Sequence, residues 1–117
     1  MSTPLPLRRS VAAGDFVVFS GQIGAVDGTV VEGGVAAQTR QALANLTAQL
    51  AEHGLTASDV VKTNVFLLTM DDFAAMNAEY ARVFTEDFPA RSAVAVHELP
   101  FGAAVEIEGW AHCGERS

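Results

Sequence analysis

An arginine set in a small, apolar segment, Ala90-Arg91-Ser92-Ala93-Val94, is the residue best equipped for chemistry in this sequence. A guanidinium keeps its charge at ordinary pH and is costly to bury unpaired. Its planar fork of donors matches a carboxylate in two-point contact. Two readings of Arg91 follow: it receives a small acid anion, or it closes an ion pair with one of the chain's own carboxylates. Glu106, within Val105-Glu106-Ile107-Glu108, is the second candidate. Strand alternation places Val105, Ile107 and Ala111 on one face and Glu106, Glu108 and Trp110 on the other. A carboxylate so placed either pairs with a base or acts on water as an acid or base. Glu108 reads as structural. Ser20, at a strand end before Gly21, has a hydroxyl and nearby backbone groups that can face a ligand, although such a serine is ordinarily a local hydrogen-bonder. Asn77 stands beside the apolar stripe of a helix, where the ordinary role is to satisfy nearby backbone.

Other chemistries lack their residues. His53, His97 and His112 share no metal-ligand spacing, and none stands beside a nucleophile in sequence. Cys113 is the single cysteine, so no internal disulfide can form. There is no CxxC, GxGxxG, P-loop or zinc motif. The 7 Lys and Arg against 14 Asp and Glu give a net charge of −7, which repels nucleic-acid backbones. No uninterrupted apolar run is long enough to span a membrane. The N-terminus lacks the basic-then-apolar pattern of a signal peptide, so the cytoplasm is the expected location.

The elements that must hold these groups are legible from pattern. The 117 residues suit one domain, with 1–6 an irregular lead-in and 113–117 a tail. Half the chain is hydrophobic but only 8% is aromatic, so Ala and Val must do most of the core filling. A short extended segment is expected over Leu7–Val11, and Phe16–Ser20 is a β-branched and aromatic strand stopping at Gly21-Gln22-Ile23-Gly24. Asp27-Gly28 between Ala25-Val26 and Thr29-Val30-Val31 signals a hairpin. Gly33-Gly34 opens a helix over Val35–His53, closed by Gly54. Val60–Leu68 is a strand. Thr69 to Asp72 reads as a capping box for a helix carrying Phe73, Met76, Tyr80, Val83 and Phe84, broken at Phe88-Pro89. Strands over Ser92–Val96 and Ala103–His112 complete an order β-β-β-α-β-α-β-β. The expected fold class is α+β, with both helices on one face of a mixed sheet.

Two strands carry large apolar residues on both faces. In Val60–Leu68 one set is Val61, Thr63, Val65 and Leu67, and the other holds Val60, Phe66 and Leu68. In the earlier strand Phe16 and Val18 oppose Val17, Phe19 and Ile23. Such strands need cover on both faces. Two helices shield one face, so the other is expected to be covered by further copies of the chain.

Several segments together closely resemble the RidA/YjgF family of imine deaminases, once labelled endoribonuclease L-PSP. They are Ser20-Gly21-Gln22-Ile23, Val61-Lys62-Thr63-Asn64-Val65-Phe66-Leu67, Asn77-Ala78-x-Tyr80, Phe88-Pro89-Ala90-Arg91-Ser92, Leu99-Pro100 and Val105-Glu106-Ile107-Glu108. The resemblance runs from about Pro6 to Ala111. It implies a chorismate-mutase-like fold and a homotrimer with sites in the clefts between subunits. It implies that Arg91 grips the carboxylate of a 2-imino or 2-enamino acid such as 2-aminoacrylate, and that Glu106 positions or activates the hydrolytic water. Ser20, Gly21 and Asn77 would line the cleft. The products would be a 2-oxo acid and ammonia, with no metal or organic cofactor. Two positions depart from the pattern. Leu7 stands where many such deaminases have an aromatic residue, and Ala93 where they often have Cys or a bulkier side chain; both changes would alter the cleft. A non-catalytic binder of carboxylate metabolites or of a protein partner at the same cleft is the alternative. A ribonuclease is the weaker third reading, since the chain is acidic and lacks a paired His/Lys site.

Overall fold

Alternation is clearest in the last strand, where Val105, Ile107, Gly109 and Ala111 are buried and the residues between them are half-exposed. That strand lies at the centre of the architecture. The structure, a computed structural model, describes residues 5–114, so most of the expected lead-in and part of the expected tail lie outside the described residues. In chain order the elements are β1 (Ser10–Ala13), β2 (Phe16–Ile23), β3 (Ala25–Val26), β4 (Thr29–Val30), α1 (Gly34–Glu52), β5 (Val60–Leu67), α2 (Phe73–Val83), β6 (Ala90–Ala95) and β7 (Val105–His112). The five-stranded sheet runs β1-β2-β7-β5-β6, while β3 and β4 form a separate ribbon. Only β5 and β6 are parallel, with α2 as their crossover. This is the expected α+β class: a mixed sheet with two helices on one face.

Five residues in register cross the helix-covered face: Ser10, Phe19, Gly109, Thr63 and Arg91. The core above them is Phe19, Val65, Leu67 and Ile107 from the sheet, with Leu43, Leu46 and Leu50 of α1 and Met76 of α2. Gly109 has a steric reason to be glycine. A Cβ there would collide with the Lys62 carbonyl and come within 3.0 Å of the Phe19 ring. The other face is uncovered in the single chain. Val11, Phe16, Val18 and Val94 lie on it at 39–47% exposure, beside half-buried Phe66 and Trp110.

Several boundaries and faces differ from expectation. Four strands precede α1 rather than three, because the Asp27-Gly28 hairpin pairs with itself apart from the main sheet. The first strand begins at Ser10, so Leu7 stands before it. β6 starts at Ala90, which puts Arg91 inside the ladder, and β7 starts at Val105 rather than Ala103. Two bulges reassign side chains. In β5 the register passes from Val60 to Lys62 opposite Ala111 and Trp110, so Val60 rather than Val61 enters the core. In β2 an extra residue between Phe19 and Gln22 places Ile23 opposite Glu106, on the open face, not with Val17 and Phe19. The Thr69 hydroxyl accepts from the Asp71 N–H at 3.1 Å and caps a 3₁₀ turn over Met70–Asp72, not α2 directly. A capping-box bond forms instead one turn before β5, where Asp59 accepts from the Thr56 N–H at 2.8 Å. Among the described residues no helix is long and apolar enough to cross a membrane.

Leu46 is fully buried between sheet and helices. Leu46→Ala is expected to cost about 2–5 kcal/mol through lost burial and a residual cavity. Guanidinium unfolding of the variant beside the native chain measures it.

Candidate active site

Arg91 owes its position to β6 pairing in parallel with β5, which sets it level with Thr63 on the helix face at the sheet edge. Helix α2 supplies its surroundings from Phe73, Asn77 and Tyr80, spaced to share one helix face. The Arg91 Nη1 donates to Asn77 Oδ1 at 2.7 Å. Its guanidinium carbon lies 4.8 Å from the Tyr80 ring centroid and 5.5 Å from that of Phe73. An amide and two π faces orient a cation without neutralising it. Among the described residues no ion pair to Arg91 is formed. The carboxylate on this stretch of α2, Glu79, is engaged by Arg40 at 2.8 Å and Arg82 at 3.7 Å.

Behind the guanidinium, the Tyr80 hydroxyl and the Thr63 hydroxyl share a buried hydrogen bond of 2.7 Å. Burial raises the Tyr80 phenol pKa, against smaller opposing effects of the Thr63 bond and the Arg91 charge. The ring is therefore neutral at physiological pH, and its face is available to the cation. Ala93, two residues along the same strand face, packs against the core.

Glu106 belongs to another place. It sits on the open face, with Ile23 and Phe66 as register neighbours. The bulge in β2 brings Ser20 and Gly21 to it. A Cβ on Gly21 would strike the Glu106 carboxyl group, whose Cδ would lie 2.7 Å away. Glycine thus lets the carboxylate lie against backbone. The Ser20 hydroxyl donates to the Arg8 carbonyl at 2.6 Å, which leaves its oxygen as an acceptor. Burial raises the Glu106 pKa from the ordinary glutamate value, and the negative charge of Glu108 adds to it. Glu108 itself accepts from Asn64 Nδ2 at 3.1 Å, in keeping with a structural role. A base with a raised pKa lies closer to neutral pH, where proton abstraction from water is more effective.

Glu106, Ser20, Gly21 and Leu7 all line one cavity of about 700 Å³. Arg91, Asn77 and Ala93 do not line it. The sequence-derived candidates therefore divide into a cationic half on the helix face at the β6 edge and a carboxylate half on the open face beside β2. Within one chain the sheet itself separates them. Sequence reading missed the aromatic bracket of Phe73 and Tyr80, although their spacing from Asn77 held the signal. It also missed Phe101, which lines the cavity from a 3₁₀ turn over Pro100–Gly102. His53, read as structural, lies 2.8 Å from the Ser10 hydroxyl. That hydroxyl donates to Gln49 Oε1 at 3.0 Å, so its proton is not offered to the imidazole and the pair is no nucleophile-base dyad.

Comparison with known proteins gives a consistent result. The model of the family described as endoribonuclease L-PSP matches residues 3–113. A RutC family protein of Haemophilus influenzae is 46% identical over 108 residues, covering 88% of this chain and 83% of the relative. The 2-iminobutanoate/2-iminopropanoate deaminase of Escherichia coli K12 is 44% identical over 107 residues, with 88% and 84% covered. Among solved structures, E. coli TdcF with bound serine matches with a TM-score of 0.87 at 34% identity, covering 98% of this chain and 91% of that one.

The surroundings of Glu106 generate a sign-specific expectation. Its raised pKa means the folded chain holds that proton more tightly than the unfolded one. The corresponding stability is present below the ordinary glutamate pKa and is lost as pH rises through the raised value. In a ¹³C NMR titration the Glu106 carboxyl should titrate above an ordinary glutamate, and Glu108→Gln should bring it down. An unmoved titration in that variant would assign the shift to burial alone.

Proposed function

We propose a function from one premise: the chain belongs to the endoribonuclease L-PSP family, the RidA/YjgF proteins. The proposed reaction is hydrolysis of 2-imino and 2-enamino acids to 2-oxo acids and ammonia. It takes place in clefts between the subunits of a homotrimer. The observation that carries this reading is the division of the candidate residues: Arg91 and Glu106 lie on opposite faces of one sheet, so a second copy is needed to bring a cation to a carboxylate base. The apolar open face, with Val11, Phe16, Val18 and Val94 uncovered in one chain, supports assembly through that side. The number three follows the family resemblance.

The substrate carboxylate is received by the guanidinium edge that Asn77 leaves free, with Tyr80 and Phe73 holding its plane. Two-point contact fixes the carboxylate and hence the direction of the neighbouring C=N bond. Glu106 of an adjacent subunit accepts a proton from water as the water oxygen bonds to the imine carbon. The imine nitrogen takes up a proton, giving a carbinolamine. Collapse of that intermediate breaks the C–N bond and releases ammonia and the 2-oxo acid. An enamine substrate first takes a proton at carbon to become the imine. The imine carbon is already electrophilic, so the residues need only orient the substrate and activate water. The serine named with TdcF carries the same carboxylate next to nitrogen-bearing carbon, which supports this ligand class. The name of the E. coli relative supports the reaction.

A non-catalytic carboxylate binder at the same cleft is the second reading, favoured by Leu7 in place of the usual aromatic residue. The ribonuclease of the family's older label fits poorly with a net charge of −7.

Arg91→Ala and Glu106→Gln should each abolish or nearly abolish decay of imines generated in situ by an amino-acid oxidase, with assembly unchanged by sedimentation. Subunits of the two variants, mixed equally and reassembled, should recover activity. A cleft is intact when one subunit supplies Arg91 and its neighbour Glu106, a half times a half, or about a quarter of the native rate. No recovery would place both groups on one chain's site and remove the shared-cleft mechanism. Binding of 2-oxobutanoate without any imine turnover by the native chain would favour the binder.

A further inference from the structure

Phe101 is a bulky aromatic residue at φ 58°, ψ 23°, in the left-handed region that such side chains rarely occupy. Burial does not explain the strain, because Phe101 is 71% exposed. The turn over Pro100–Gly102 leaves it on the wall of the Glu106 cavity. Backbone strain of this kind persists where the conformation serves a site. Around Phe101 the same cavity is walled by Leu7, Ile23 and Val26, and Leu7 is 59% exposed in the single chain.

The polar residues that α1 contributes to the cavity are already engaged. Asn45 donates to the Ile23 and Ala25 carbonyls at 3.1 and 3.0 Å, Gln41 donates to Asn45 at 2.9 Å, and Gln49 accepts from Ser10. With these bonds made, the wall near Glu106 is more apolar than polar. The cavity, about 700 Å³ and open to solvent in the single chain, has room for more than a three-carbon acid. Arg9 and Asp27 line it as well, so a charged side chain is the rival occupant.

We infer that this cavity is the side-chain subsite of the cleft, and that it selects 2-imino acids with apolar side chains of isobutyl or benzyl size over those with methyl or ethyl groups. The inference rests on the proposed cleft and names its substrate class. Phe101 and Leu7 are the specificity-determining residues. The reaction that supplies such a substrate must be a two-electron oxidation of the Cα–N bond of a large apolar amino acid, as an amino-acid oxidase or dehydrogenase performs, because these side chains carry no leaving group for an elimination.

Calorimetry with the product analogues separates this inference from the reaction itself. The native protein should bind 4-methyl-2-oxopentanoate at least about tenfold more tightly than pyruvate, the discrimination that added methylenes give in an apolar pocket. Phe101→Gly relieves the positive φ while removing the ring, so folding is not at risk. It should lower that preference several-fold, with assembly unchanged by sedimentation. Equal affinities, tightest binding of 2-oxoglutarate, or a variant that changes assembly but not preference would each overturn the subsite. Turnover of imines made from leucine and alanine is the separate readout. Faster hydrolysis of the alanine-derived imine overturns the subsite and leaves the deaminase standing. Absence of any turnover removes the deaminase, and the affinity ratio then decides the subsite alone.

Discussion

A guanidinium surrounded by neutral groups is the constraint from which the rest of this molecule can be understood. Arg91 is half-buried at a sheet edge. Its neighbours, an amide oxygen and two ring faces, hold it in one orientation and leave the charge in place. Had α2 presented a carboxylate at position 77, the cation would be satisfied and closed to ligands. Helix α2 does carry a carboxylate nearby, Glu79, but Arg40 and Arg82 engage it. The arrangement keeps a positive charge available next to a wall that is otherwise apolar.

The carboxylate half is set up by different means. Glu106 lies against Gly21 because no side chain intervenes, and the bulge in β2 is what carries Gly21 there. Burial and the neighbouring Glu108 both favour its protonated form, and among the described residues no ion pair to Glu106 opposes them. On the proposed reading, a neighbouring Arg91 with a bound anion completes this environment. On that reading each half is chemically prepared and completed only by its neighbour.

Much of this was legible in sequence because it follows from local rules. The alternation of β7 assigned Glu106, Glu108 and Trp110 to the open face correctly, and Gly54 ends α1 with φ 73°, as a residue after a helix often does. The two-sided apolar pattern of β2 and β5 pointed to an uncovered face, and that face is present. Positions governed by pairing between distant strands were harder. The faces of Val60, Val61 and Ile23 depend on bulges, and a bulge shifts every later side chain by one without leaving a mark in periodicity. The separation of Arg91 from Glu106 across the sheet could not be read for a similar reason. It requires knowing that β6 pairs parallel to β5 with α2 above it. The bracket formed by Phe73 and Tyr80 is visible as helix spacing, but the same spacing serves equally for packing against the core.

The extra residue in β2 also bears on how chains of this kind can diverge. Removing one residue at the bulge would let β2 pair evenly with β7, so the sheet itself should tolerate a shortening there. Gln22 and Ile23 would keep Ile107 and Glu106 as partners, but loss of Gly21 would remove the glycine cradle beneath Glu106. Length at this point is thereby decoupled from folding and tied to chemistry. Among proteins sharing the architecture, a gap opposite Ser20 or Gly21 should mark a lineage that retained the scaffold and abandoned the carboxylate.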